Sequence, residues 1–84
     1  MQMVEMMANN QFVIQHKDRR IFQSYATIIA VIDTKAHKTL IDERKYSRTT
    51  SKYLNRFLND FDYYTASEHE YVDNDTLVDY IFNK

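Results

Sequence analysis

Apolar and polar positions alternate over short stretches in the first half of the chain and recur at helical spacing in the second. Gln11–Gln15 (QFVIQ) is polar at its ends and apolar in its middle, which predicts a short strand. After the polar connector 16–20 comes Ile21–Asp33 (IFQSYATIIAVID), rich in β-branched and aromatic residues and again strand-forming. Its second half is apolar on both faces. A regular pleat puts Ile28, Ala30 and Ile32 on one face and Ile29 and Val31 on the other, so this strand is expected to be covered twice. Its length suggests a bend or bulge near Ser24–Ala26. Thr34–Lys38 has no Asn-Gly signal and predicts a loop of three to five residues, after which Thr39–Tyr46 returns as a polar, edge-like strand.

The period then changes. Ser47 is a good N-cap, and Leu54, Phe57, Leu58 and Phe61 form one apolar arc of a helix over 48–60. Arg48, Lys52 and Arg56 lie on its opposite side. The segment 62–73 reads as an acidic, tyrosine-bearing connector. Asp73 or Asn74 can cap a short helix over 75–82, with Leu77, Val78 and Ile81 on one face. The expected architecture is α+β: a small antiparallel three-stranded sheet (β-β-β), a packed amphipathic helix and a short C-terminal helix. One domain spans 1–84, with 1–8 flexible, a core over 9–61 and an acidic region over 62–84. Met7-Ala8-Asn9-Asn10 resembles an ordinary start, so residues 1–6 are expected to be either a frayed extension or the product of an upstream initiation site.

Composition narrows the chemistry. The 84 residues contain no Gly, Pro or Cys. Without glycine there is no phosphate-cradling loop, and without cysteine no disulfide, thiolate nucleophile or zinc knuckle, which fits a reducing cytoplasm. The longest apolar stretch, Ile28–Ile32, falls far short of the roughly 20 residues of a membrane helix, and no membrane partner is expected. His16, His37 and His69 are scattered. Glu68, His69, Glu70 and Asp73 form only a weak cation-binding set, and no serine sits in a nucleophile elbow. No enzymatic activity, metal or cofactor is expected.

Charge is divided sharply. Residues 1–56 hold ten Lys and Arg against five acids, and 57–84 hold one Lys against seven acids, although the formal net charge is only −1. Two surfaces follow. In the acidic region Asp60, Asp62, Tyr63, Tyr64, Glu68, Glu70 and Tyr71 combine carboxylates with tyrosines, a mixture suited to docking on a basic protein surface. Arg48, Lys52 and Arg56, extended by Arg19 and Arg20, form a candidate track for a nucleic-acid backbone. Each has a plainer explanation, since charged runs commonly face solvent and acids commonly cap helices.

The runs Tyr25–Asp33 (YATIIAVID) and Tyr46–Leu58 (YSRTTSKYLNRFL) resemble a set of small uncharacterised proteins of phages and mobile elements, over about residues 20–60. The resemblance implies no activity. With size and charge, it leads to the expectation of a non-enzymatic protein that binds and inhibits or modulates a host protein in a bacterial cytoplasm. The target expected first is a CRISPR effector or another nucleic-acid-handling defence complex, making the chain an anti-CRISPR or other anti-defence inhibitor. The alternative is a small nucleic-acid-binding accessory protein. A third expectation is a homodimer, paired through the doubly apolar Ile28–Ile32 strand.

Overall fold

The computed structural model describes residues 2–61 and 68–82. Six strands form one sheet in the order of the chain, β1 to β6. They are β1 (Gln2–Ala8), β2 (Gln11–His16), β3 (Arg19–Ser24), β4 (Thr27–Asp33), β5 (Lys38–Asp42) and β6 (Glu68–Val72). The first five are an antiparallel meander, and β6 returns parallel to β5. Helix α1 (Arg48–Phe61) makes the crossover between β5 and β6, and α2 (Asn74–Phe82) follows β6. The fold is α+β with two helices, but the sheet has six strands where three were expected.

The three extra strands have separate causes. Gln2–Ala8, expected to fray, pairs along β2 as β1. Ile21–Asp33, read as one bent strand, is a hairpin: the chain reverses at Tyr25-Ala26, the site of the expected bend. Glu68–Val72, read as part of a connector, is β6. Its charged residues gave no strand signal because only one of its neighbours is a strand and much of it faces water.

Tight reversals normally draw on glycine. Here the left-handed backbone positions are Asn10, Lys17, Tyr25 and His37, with φ between 55° and 62°. Asparagine tolerates this conformation, but a residue with an ordinary side chain there costs about 1 kcal/mol or more. These turns are therefore held by the pairing of the strands they join.

The sheet carries a core on each face. Phe22, Ile29, Ala30, Ile32 and Ile41 pack with Phe57 of α1, while Ile21, Val31 and Leu40 pack with Leu77 and Ile81 of α2. The strand β4 is covered on both sides, as its apolar run predicted, yet the faces are divided differently. In the β3–β4 register Phe22 pairs with Ala30 and Gln23 with Ile28, so Ile29 is an extra, bulged residue. The bulge turns Ile28 toward the α2 side and puts Ile29 and Ala30 together under α1.

Helix α1 forms where its period predicts. Ser47 Oγ accepts the Thr50 amide at 3.2 Å, capping the first turn. Thr50 also shares a 3.0 Å hydrogen bond with Ser24 of β3, and Phe57 stacks on Phe22 at 5.6 Å between centroids. Helix α2 is capped by Asp73, whose carboxylate accepts the Thr76 amide at 2.7 Å. One polar group fits less well: the side-chain amide of Gln11 is buried without a hydrogen-bond partner. Nothing in the fold explains it.

Candidate functional surfaces

The expected protein-binding residues do not all fall in describable structure. Asp62, Tyr63 and Tyr64 lie outside the described residues. Asp60 is on the last turn of α1, 3.8 Å from Arg56 of the same helix. Glu68, Glu70 and Tyr71 are on β6, at the margin of the sheet. Tyr71 is 65% exposed, and Glu70 lines a cleft of about 280 Å³ with Ala36, His37 and Lys38. Glu70 therefore sits near His37 of the β4–β5 loop and Lys38 at the start of β5, and this part of the margin is mixed in charge.

Behind β6 lies a network that the sequence did not announce. Asp42, at the end of β5, has a fully buried carboxylate. It accepts hydrogen bonds from the Arg44 amide at 2.9 Å, from the Arg44 guanidinium at 2.9 and 3.2 Å, and from Asn74 Nδ2 at 2.7 Å. Asn74 also donates to the Ile28 carbonyl at 2.8 Å, and the Glu43 amide donates to the Val72 carbonyl at 2.8 Å. Together these bonds join β4, β5, β6 and the start of α2. Burial opposes ionisation of Asp42, but the hydrogen bonds from Arg44, Tyr46 and Asn74 outweigh it and hold its carboxyl well below the usual range. Burial and the nearby Asp42 carboxylate push the Tyr46 phenol up to about 12.

A second buried carboxylate, Asp33 at the end of β4, is equally engaged. One oxygen accepts the Lys35 and Ala36 amides at 3.0 and 2.9 Å, shaping the β4–β5 loop. The other accepts Arg19 Nε at 3.2 Å and the Tyr80 hydroxyl at 2.8 Å. Burial raises its pKa, but the Ala36 amide, Tyr80 and Arg19 lower it further, so the net shift is downward. With their acceptor capacity taken up in this way, both carboxylates act as structural ties.

The basic residues separate. Arg48, Lys52 and Arg56 are exposed along one side of α1, as the spacing predicts. Lys52 lies over the Tyr53 ring at 5.5 Å and Arg56 approaches Asp60. Arg19 and Arg20 do not jointly extend that stripe, because neighbouring residues of a strand face opposite ways. Arg19 lies on the α2 side, donating to the Ile81 carbonyl at 3.1 Å with Tyr80 under its guanidinium. Only Arg20 is on the α1 side, lining a small cavity with Met3, Glu5, Val13 and Gln15. Its orientation was legible from strand alternation once β3 was placed.

Among the described residues no group of three or more His, Asp or Glu side chains could hold a metal ion, and no helix is long and apolar enough to cross a membrane. Neither the curated proteins nor the solved structures give a match to this chain. A family model does match, over residues 1–75, which takes in every strand and α1. The chain belongs to that family, a family of unknown function designated DUF8033.

Proposed function

We propose that the chain is a non-enzymatic binding protein that docks on another protein through the β6 margin. The observation that carries this reading is a tyrosine 65% exposed on a sheet-edge strand whose last residue, Val72, accepts the Glu43 amide next to the Asp42–Arg44–Asn74 network. A rigid aromatic anchor with polar neighbours is the usual make-up of an energetic centre in an interface, and an open sheet edge can accept an added strand. Glu70 and Tyr71 are the contacts assigned here, with Asp60, Asp62, Tyr63, Tyr64 and Glu68 as their extension.

The resemblance to small phage and mobile-element proteins supports a finer version. In it, the partner is a bacterial host protein and the effect is inhibition, with an anti-CRISPR or other anti-defence role placed first. Acidic groups that imitate a phosphate backbone suit a nucleic-acid-handling target. The test is capture of host proteins on the tagged chain, with and without nuclease, for the wild type and for Tyr71→Ala and Glu70→Lys. A nuclease-resistant partner lost in both variants is the expected result. A partner retained by both variants removes β6 from the interface.

The second reading is nucleic-acid binding by Arg48, Lys52 and Arg56, supported by their shared exposed side of α1. It predicts affinity that falls steeply with salt and drops on charge removal. Salt-independent binding, or none, ends it.

A further inference from the structure

Self-association through Ile28–Ile32 is closed off, since α1 covers one face of β4 and α2 the other. Apolar surface remains at the opposite margin. Among the described residues strand β1 has a neighbour on one side only, and it carries a single charged residue, Glu5. Val4 pairs with Ile14 and Met6 with Phe12, so these four residues share the α2 side of the sheet. Helix α2 packs there on β4 and β5. Val4 is 59% exposed and Met6 65%, while Met3, on the other face, is 58% exposed.

We propose that a second copy of this chain covers this margin, with β1 pairing antiparallel to β1 of that copy about a two-fold axis at Val4. The outward amides and carbonyls of an edge strand match the repeat of another extended strand. Charge then rules out one register and disfavours one partner strand. A two-fold at Glu5 sets two carboxylates directly opposite, which is unfavourable. A two-fold at Val4 sets Val4 on Val4 and Met3 across from Glu5, and it makes the apolar surface of Val4, Ile14 and Phe12 continuous between the copies. Pairing β1 with the β6 of another copy would place Met and Val against Glu68, His69 and Glu70 and would build head-to-tail assemblies larger than two copies.

Size sets the strength. Seven residues make an edge of about 24 Å, and a sheet layer about 10 Å thick gives roughly 250 Å² of cross-section per copy. That is well under the ~800 Å² per partner of a standard interface, so a weak dimer that forms only at high protein concentration is expected.

Sedimentation equilibrium of the full chain from ~10 μM to ~1 mM tests this. The mass should rise from monomer toward dimer and no further. Val4→Lys, at an exposed position, puts two like charges on the axis and should weaken the dimer at least about tenfold, with an unchanged urea midpoint showing that the fold is intact. Met3→Lys places a cation opposite Glu5 and should preserve or tighten the dimer. A monomer throughout, a mass that grows past two copies, or a dimer indifferent to Val4→Lys overturns the proposal. Equal weakening by Met3→Lys and Val4→Lys overturns the Val4 register.

Discussion

Strands β1 and β6 both stand at a margin of the sheet, but one is apolar and the other charged. β1 reads Gln-Met-Val-Glu-Met-Met-Ala, with one charge in seven residues, while β6 reads Glu-His-Glu-Tyr-Val, with two carboxylates in five. Charged side chains discourage an edge from pairing indiscriminately. The β6 margin is thus guarded against casual pairing, whereas β1 carries little that would repel another strand. The margins also differ in anchorage. β1 joins β2 through a two-residue turn with Asn10 in the left-handed conformation, and β6 arrives after a helical crossover, its last residue Val72 accepting the Glu43 amide just before Asn74 ties α2 to β4 and β5.

The largest effect on this contrast should come from erasing it. Phe57→Ala removes the ring that stacks on Phe22 beneath α1 and should cost about 3–5 kcal/mol, lowering the urea midpoint with both margins lost together. Separate loss of the two margins would mean that the α1 core does not unite the sheet.

A smaller, one-sided effect is expected from Asp42→Asn. At neutral pH it should cost about 1–3 kcal/mol, and hydrogen exchange should accelerate in β6 and α2 more than in β2. Its pH dependence has a definite sign. The folded-state pKa of Asp42 lies below the unfolded value near 3.9, so its stabilisation is complete above that value and is lost as pH falls below it. Asp33, also lowered, contributes in the same direction. The stability gap between wild type and Asp42→Asn should therefore narrow as pH falls below about 4, as chemical denaturation at a series of pH values will read. A constant gap would remove the Asp42 charge from the account.

The smallest effect lies on the meander. Lys17→Gly relieves the positive φ in the β2–β3 turn and should raise stability by at most about 1 kcal/mol, less whatever the flexible glycine costs through the unfolded state. A loss of stability would mean that the lysine side chain contributes more than its backbone conformation costs.

Much of the interior was legible because burial imposes a period. The α1 helix, its Ser47 cap and the double covering of β4 all follow from apolar spacing and one capping residue. What escaped lacked a local signature. The Tyr25-Ala26 reversal uses no glycine or asparagine, so one hairpin read as one strand. The Ile29 bulge shifts the pleat by a residue, which no alternation rule anticipates. β1 and β6 owe their extended form to the neighbour each pairs with. The candidate surfaces were legible by composition only. Sequence grouped Arg19 with Arg20, and the pleat divided them. It ranked Asp33 and Asp42 with other acids, though long-range partners make them ties between elements.

The placement of α2 bears on how the molecule is made. It is synthesised after every strand it covers, and the face formed by Ile21, Val31 and Leu40 depends on Leu77 and Ile81 for its cover. The β1–β5 meander has only local pairings and can assemble early, but on the ribosome one side of it stays bare until α2 has emerged. A chain stopped after Asp73 would retain a paired sheet with an open greasy side, the kind of species that chaperones hold and proteases clear.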